Sequence, residues 1–456
     1  MAEATLQTWT FVWLITAAVV LIRHWRPGAG VGLVFTYVLS FGVMHWLAAT
    51  IYLLPWYGGP RLDLTAAGLR EAAIAMIAFA VGSEITLALL RRRHIEHAEE
   101  AEERPVDGRL VTLYLVAGAV LYGVILPLAS RLPSVTAFAS AGSTLVIVGV
   151  SLKCWNSWVR GAGPRLWLWL AATSVFPLMT LITQGFLGYG FAAMLTIFAF
   201  VASIYRPRWR VIVAGLLLAY AGLSVYVTYM RDRSDIRAVV WAGGAVDERV
   251  TQVTDTFINL EWFDVANEEH LHRIDGRLNQ DYLIGAAVAY IGDGSASFAR
   301  GGTFWQAIVA LIPRALWPNK PIVGGSGNLV SDYTGFRFAD GTSVGIGQVM
   351  ESYVNFGTTG VVFGFLLIGA ALALTDRMSY LRLSQGSAYG FLLWYLPGLS
   401  LLQVGGSFME VTTTAGAAIG VAVALNYFAP YLAPDRSRPL REPEMPAAAA
   451  ESEVSR

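Results

Sequence analysis

The stretch YMRDRSDIR at residues 229–237 ends the eighth long apolar run of this chain and opens its one large polar segment. From Arg231 to about Val344 this segment carries ten basic and fourteen acidic side chains. The chain on either side of it consists largely of apolar runs joined by short polar connections. We therefore expect the chemistry of this protein to take place in or beside residues 231–344.

The composition indicates the class of protein. Of the 456 residues, 55% are hydrophobic and only 14% are charged, whereas a soluble domain carries about 25% charged residues. The formal net charge is zero, which excludes the globally basic surface expected of a nucleic-acid-binding protein. The single cysteine, Cys154, cannot form an internal disulfide. The sequence therefore predicts an integral membrane protein.

A membrane-spanning helix needs about 20 mostly apolar residues, and the sequence contains about eleven such runs. The N-terminus lacks the basic segment and cleavage site of a signal peptide, so we expect the first run to be retained. The predicted fold is an all-α polytopic membrane protein. The predicted spans are 8–22, 30–54, 71–90, 110–128, 135–152, 166–183, 187–205, 211–230, 350–374, 388–404 and 411–430.

The distribution of Arg and Lys predicts the orientation, because these residues in short loops stay on the cytoplasmic side. Alternate connections between the spans are rich in Arg and Lys, and the short loops between those connections hold only Arg61, Arg70 and Arg131. The alternation predicts a periplasmic N-terminus, a cytoplasmic C-terminus and a periplasmic polar segment. The basic connections hold Arg23 and Arg26; Arg91, Arg92, Arg93, Arg104 and Arg109; Lys153, Arg160 and Arg165; Arg206, Arg208 and Arg210; and Arg377 and Arg382.

The chain accordingly divides into four predicted parts. Residues 1–230 hold the first eight spans, and residues 231–349 form a large periplasmic loop. Residues 350–430 hold the last three spans. The tail at 431–456, rich in Pro and Ala, is predicted to be disordered and cytoplasmic.

Three arginines at the start of the polar segment, Arg231, Arg233 and Arg237, oppose the positive-inside bias. Guanidinium groups bind phosphate through two parallel hydrogen bonds and stay charged at all relevant pH values. The three side chains are therefore candidates for binding a phosphate group. The alternative is local pairing with Asp232 and Asp235.

Residues 303–312 form an apolar stretch that is too short to cross a membrane. We predict an interfacial or re-entrant helix over 303–318, after which prolines leave Arg314 and Lys320 on irregular backbone near the membrane surface. Trp317 is expected at headgroup level. Two fixed cations at that depth suit a lipid-linked phosphate, and the alternative is a plain interfacial anchor.

Gln348, Glu351 and Asn355 have the spacing that places them on one helical face at the start of the ninth span. Polar groups that enter a membrane usually line a cavity. Beside an apolar wall, Glu351 is a candidate general base for a sugar hydroxyl. The alternative is an ion pair between Glu351 and Arg314 or Arg231.

Several motifs are missing from the sequence. The outer loops contain no Asp-x-Asp pair, the usual metal clamp of sugar transferases, and the chain has no Walker motif or His-Glu-x-x-His site. His270 and His272 follow Glu268 and Glu269, but no second cluster completes a metal site, so a solvated helix face is the preferred interpretation.

With these features the chain resembles the bacterial O-antigen polymerase family, the Wzy-type oligosaccharide repeat-unit polymerases. One basis is the topology of many spans with a dominant outer loop late in the chain. The others are IPRALWPNKP at 312–321 and ESYVNFG at 351–357, the latter followed by a glycine-rich span. The resemblance covers about residues 180–430.

The resemblance implies an inverting glycosyltransferase of the membrane-embedded C type, with a GT-C-like fold. Such an enzyme moves a growing glycan from one undecaprenyl diphosphate carrier onto the sugar of another at the periplasmic face. It needs no nucleotide sugar, and the resemblance implies no metal or other cofactor. The expected partners are lipid-linked oligosaccharides, the bilayer of the inner membrane, and the chain-length regulator and flippase of the same pathway.

Outer-face arginines are the functional residues of that family, and Arg231, Arg233 and Arg314 are the positions that fit. In this interpretation Arg314 and Arg231 hold the diphosphate, and Glu351 deprotonates the acceptor hydroxyl. Tyr353 and Trp317 would stack on sugar rings. The other expected substrate-binding residues are Arg233, Arg237, Lys320 and Gln348.

Three other functions remain open at this point. An O-antigen ligase would use the same donor but transfer the glycan onto lipid A core, with His270 or His272 assisting. A transporter or flippase would carry charged residues at mid-membrane depth in many spans, whereas these spans are nearly uncharged. The third alternative is a structural partner of a polysaccharide-export complex.

Overall fold

A computed structural model of the chain describes residues 2–98, 103–128, 133–205, 208–312, 317, 326–338 and 344–432. Within these residues the regular structure is helical throughout, without a strand. In the described part of the chain, ten helices are long and apolar enough to cross a membrane. The structure thus confirms the all-α prediction and has the helices expected of a multi-pass membrane protein.

Eight of these spans precede the polar segment and two follow it. The first eight are α1 Ala2–His24, α2 Leu33–Ile51, α3 Leu62–Ala98, α4 Gly108–Leu128, α5 Val135–Val159, α6 Gly163–Gln184, α7 Leu187–Ile204 and α8 Arg208–Trp241. The polar segment contains α9 Val246–Ile258, α10 Glu268–Leu278, α11 Asp281–Gly292, α12 Gly302–Ala310 and α13 Ser326–Thr334. The chain ends with α14 Gln348–Ser384, α15 Ala388–Ser400 and α16 Phe408–Leu432.

Helix α15 is shorter than the span predicted at 388–404. It has 13 residues, whereas a helix needs about 20 residues to cross a bilayer alone. Just before it, the Ser384 carbonyl accepts a hydrogen bond from Arg104, and just after it the Val404 carbonyl accepts one from Gln348. The chain therefore passes from one end of the bundle to the other through a short helix and the non-helical residues 401–407.

The interhelical connections collect at two ends of the bundle. At the first, Asp376 accepts hydrogen bonds from the Val31 and Leu33 N–H groups at 2.7 and 3.0 Å, at the start of α2. At the second, Tyr52 and Tyr57 donate to Asp275 at 2.9 and 3.0 Å. We call the first end, which also carries Trp25 and Arg104, the basic end. The second, which also carries Gly185 and residues 401–407, is called the loop end.

The polar segment packs into the bundle instead of forming a separate domain. Helix α11 crosses α3 where Gly68 and Gly285 face the partner helix, and a Cβ on either glycine would overlap a partner carbonyl oxygen. Leu283, Ile284 and Ala287 of α11 are also buried. The loop end is therefore built partly from α11.

Helix α8 extends beyond the span predicted at 211–230. With 34 residues it is about 51 Å long, whereas the hydrocarbon core of a bilayer is about 30 Å thick. Its last turns project at the loop end and carry Arg231, Arg233 and Arg237. The first residues of the polar segment therefore lie on a rigid helix.

Helix α14 is broken near its start. Phe356 (φ −143°, ψ 21°) and Gly357 (φ 64°, ψ −155°) leave the helical conformation. A Cβ on Gly364 would lie 2.9 Å from the Ser352 hydroxyl oxygen, although the two residues are twelve positions apart. Residues 348–355 therefore fold back against the rest of α14, where a continuous span was predicted at 350–374.

We expect Gly357→Ala to lower the Tm of the purified protein. The backbone angles of Gly357 belong to a region that is essentially confined to glycine, and strain of this kind costs about 1–3 kcal/mol. A Cβ would meet Phe298 only at the ordinary distance of 3.5 Å, so the effect would come from the backbone. Thermal unfolding in detergent measures it, with Gly123→Ala, where no atom lies within 4 Å, as the control. Equal Tm values for both variants would contradict the break.

Candidate functional site

Three arginines on two helices interact electrostatically at the loop end, and a fourth, Arg61, has the neighbour Tyr282 in common with one of them. Arg233 and Arg237 lie one turn apart on the projecting end of α8, and Arg277 lies in the last turn of α10. Arg61 immediately precedes α3. All four side chains are half-buried. We call these residues the arginine cluster.

Aromatic rings hold two members of the arginine cluster. The Arg61 guanidinium lies 4.2 Å from the centre of the Tyr282 ring. Arg237 lies 4.2 Å from the ring of Phe186 and 5.1 Å from that of Trp241, and its Nε donates to the Gly185 carbonyl at 3.3 Å. Such contacts fix guanidinium groups without neutralising them.

The electrostatics of the cluster favour an anion. Burial, followed by the nearby charge of Arg233, lowers the pKa of Arg277 below its usual value. Arg233 also repels Arg237, and no carboxylate in the described part of the chain forms an ion pair with Arg233. The Tyr226 hydroxyl is an electrostatic neighbour of both Arg233 and Arg277. It is buried and has no hydrogen-bond partner among the described residues. An anion would relieve this repulsion and could accept a hydrogen bond from Tyr226.

Arg231, two residues before Arg233, has a different environment. Its Nε and Nη2 donate to Asp232 at 2.8 and 2.9 Å, and its Nη1 donates to Glu261 at 2.8 Å. Glu261 also accepts from Arg273 at 2.7 Å. Arg231 thus links α8 to the segment before α10. Its contacts with Asp232 are those expected from the alternative in which the arginines pair with nearby aspartates.

Glu261 is the centre of this ion-pair network. Burial acts to raise its pKa, but hydrogen bonds from Arg231 and Arg273 outweigh burial and the net pKa is lowered. The His270 Nε2 lies 3.3 Å from the same carboxylate. The stability that the network contributes is therefore present at neutral pH and is lost only as the pH falls through the lowered pKa.

The polar face at the start of α14 points into the bundle. Gln348 accepts a hydrogen bond from the Tyr37 hydroxyl at 2.6 Å, and Glu351 accepts one from the Phe408 N–H at 2.6 Å. Asn355 donates to Thr303 at 2.7 Å. Gln348, Glu351 and Asn355 are all buried. In this structure Glu351 satisfies the first N–H group of α16, and the proposed ion pair with Arg231 is not formed.

The predicted cations of the interfacial segment, Arg314 and Lys320, lie outside the described residues. Trp317 is described, and 39% of its surface is exposed. Helix α12, Gly302–Ala310, overlaps the first half of the helix predicted at 303–318. Its Trp305 is 65% exposed, as suits a residue at a membrane interface.

The structure reveals a buried carboxylate that the sequence interpretation missed. The Glu71 Oε1 accepts hydrogen bonds from Arg70 Nη2 at 2.7 Å and from the Thr358 hydroxyl at 3.1 Å. Its Oε2 is buried and has no hydrogen-bond partner among the described residues. Tyr353, whose ring lies 6.2 Å from that of Phe298, is an electrostatic neighbour of Glu71. We call Arg70, Glu71, Tyr353 and Thr358 the Glu71 site.

Glu71 was detectable in principle, because it is an ionisable residue at the start of a long apolar run. Such residues mark functional positions by default. Its partner Thr358 is 287 residues away in the sequence. Only the break at Gly357 brings Thr358, which follows the break, and Tyr353, which precedes it, to the same carboxylate.

A second buried acid lies at the start of α11. The His45 Nδ1 and the Asp281 Oδ1 are 2.7 Å apart, with 4% and 0% of the side chains exposed. His45 belongs to a π-helical segment, Gly42–Trp46, inside α2. Because both groups are enclosed by helices, the pair anchors α11 to the bundle.

Comparisons of the chain with protein-family models, with curated proteins and with solved structures found no match.

Proposed function

We propose that the protein is a membrane-embedded glycosyltransferase that polymerises lipid-linked repeat units. It would transfer a growing glycan from a polyprenyl diphosphate carrier onto the sugar of a second lipid-linked unit. The reaction would take place at the loop end, on the periplasmic face of a bacterial inner membrane. The observation that carries this proposal is the arginine cluster at the projecting end of α8.

The chemistry of the donor matches this cluster. When the glycosidic bond to the carrier breaks, negative charge develops on the departing diphosphate. Guanidinium groups bind phosphate oxygens in pairs, and fixed cations in a water-poor cleft stabilise such charge without reorganising. Arg233 and Arg277 would bind the diphosphate, with Arg61 and Arg237 at the borders of the site.

The earlier candidates fit this site unequally. Arg231 is neutralised by Asp232 and Glu261, so in our proposal it supports the site and Arg233 takes its place at the diphosphate. Arg314 and Lys320 remain candidate cations of the same reaction. The transfer rate of Arg314→Ala would test their contribution separately.

Reconstitution tests the proposed reaction. The purified protein in nanodiscs is given polyprenyl diphosphate carrying one oligosaccharide repeat unit as both donor and acceptor. We expect glycans of several repeat units and one free polyprenyl diphosphate per transfer, resolved by gel electrophoresis and mass spectrometry. The proposal would be overturned if the donor stayed intact even when its repeat units were those of the native host. A reporter fused near residue 280 tests the periplasmic placement independently.

A transporter of lipid-linked glycans is the second candidate, since one observation favours it. Residues 344–347 and 401–407 are non-helical and pair at the loop end, where Gly347 N–H donates to the Gly405 carbonyl at 3.2 Å. Broken helices of this kind form substrate sites in secondary transporters. A transporter would move labelled glycan across proteoliposomes without lengthening it, whereas the polymerase would lengthen it in nanodiscs.

A further inference from the structure

We infer that Glu71 is the general base of the proposed transfer, which accepts the proton of the attacking sugar hydroxyl. This inference rests on the proposed function and adds a catalytic residue to it. The first observation is the unused Oε2 of a fully buried carboxylate. Burying a charged oxygen without a hydrogen-bond donor costs free energy. A sugar hydroxyl is a donor of the size that would form this missing hydrogen bond.

The neighbours of Glu71 supply a route for an acceptor. Although none of the Glu71 side chain is exposed, 45% of the Arg70 side chain is, and Tyr353 and Thr358 are partly exposed. Arg70 and Thr358 both bind Oε1, so they fix the carboxylate and leave the buried Oε2 without a donor among the described residues. The Tyr353 ring would present an apolar face to the acceptor sugar.

The other buried carboxylates are less suited to this role. Glu351 accepts from the Phe408 N–H and from the Thr303 hydroxyl, which occupies it in the contact between α14 and α16. Asp281 also keeps one oxygen, Oδ2, without a partner among the described residues, but its other oxygen pairs with His45, of which only 4% of the side chain is exposed. Glu71 alone among these three has partly exposed neighbours on two helices.

In the proposed step, proton transfer to Glu71 accompanies displacement of the diphosphate. The acceptor hydroxyl oxygen forms a bond to the anomeric carbon of the donor glycan while its proton passes to Glu71 Oε2. The bond between that carbon and the phosphate oxygen breaks, and the diphosphate leaves with the electron pair. The proton is then released to water through the partly exposed neighbours of Glu71. Attack opposite the leaving group inverts the anomeric configuration.

The test is the rate of transfer in nanodiscs for Glu71→Gln, which keeps the shape of the side chain and removes its basicity. General bases typically contribute about 10²–10⁴-fold, so we expect a loss of that size with unchanged binding of a non-hydrolysable polyprenyl diphosphate analogue. Glu351→Gln is the comparison variant. Glu351 accepts the Phe408 N–H hydrogen bond that joins α14 to α16, so this change is expected to lower the Tm.

A second variant covers the case in which Glu71→Gln does not fold. Thr358→Val removes one of the hydrogen bonds that hold Glu71 Oε1 in place, so the transfer rate should fall while binding of the analogue is unchanged. A Thr358→Val or a Glu71→Gln enzyme as fast as wild type would overturn the inference while polymerisation stands. If the wild-type protein itself forms no polymer, the proposed function fails instead.

Discussion

Replacing Arg233 with alanine is expected to lower the rate of glycan transfer on the order of a hundredfold, the cost of removing one preorganised donor to developing charge. The folded protein should be unaffected, because no carboxylate in the described part of the chain pairs with Arg233. Removing one of several repelling cations should even favour folding slightly. The measurements are the transfer rate in nanodiscs and the Tm of the same preparation.

Arg231→Ala is the matched control, two residues away on the same helix. Arg231 bridges Asp232 and Glu261, and its loss leaves both carboxylates without that partner, so we expect a lower Tm. The two variants should therefore differ in kind: Arg233→Ala should impair binding of the diphosphate analogue, and Arg231→Ala should impair stability first. If Arg233→Ala transferred glycan at the wild-type rate, the arginine cluster would not be the diphosphate site.

The double variant of Arg233 and Arg277 sharpens the test. Because the two charges repel each other in the free protein and would share one ligand, their effects on donor binding should not add. We expect the double variant to lose less than the product of the two single losses. Fully additive losses would indicate that the two arginines act at separate places.

The second large effect is expected for Gly68→Ala. A Cβ at this position would overlap the backbone carbonyl oxygen of Asp281, so α3 and α11 would have to separate. Overpacking costs about 1–3 kcal/mol, and a clash between two backbones should lie at or above that range, since no flexible side chain can move away. Separation would also disturb the buried pair of His45 and Asp281.

The expected result is a marked loss of monodisperse protein in size-exclusion chromatography and a lower Tm for the remainder. Gly123→Ala is the control, since no atom lies within 4 Å of a Cβ there. Gly285→Ala, on the other side of the contact, should reproduce the effect because its Cβ would overlap the Leu64 carbonyl. Normal stability of both Gly68→Ala and Gly285→Ala would show that α11 does not pack against α3 in this way.

The extent of the sequence prediction differed between helices. The first seven spans were predicted near their observed positions, because a long apolar run is a local property of the chain. The end of α8 was predicted at residue 230, whereas the helix continues to Trp241. Its last turns are polar, and hydropathy does not distinguish a projecting helix from a loop. In place of the span predicted at 388–404, the structure has a helix of 13 residues. Neighbouring segments hold this helix, and hydropathy does not detect such contacts.

The candidate residues show the same division. The sequence interpretation placed Arg231 at the diphosphate and Arg233 in an auxiliary role, whereas Glu261, 30 residues away, pairs with Arg231. Glu351 was selected for its place at the membrane boundary, but its partner Phe408 is 57 residues distant. Arg61 and Arg277 were not selected, since nothing local marks them.

The sequence by itself determined that this is an all-helical, multi-pass membrane protein with one polar segment near the end of its eighth span. These properties follow from the length and apolarity of single segments, which a bilayer requires of every helix that crosses it. The tertiary structure alone decided which charges are neutralised, which buried carboxylates keep an oxygen without a donor among the described residues, and where α14 breaks. Those outcomes depend on side chains that are distant in sequence, because the energy of a buried charge is set by whichever groups folding brings beside it.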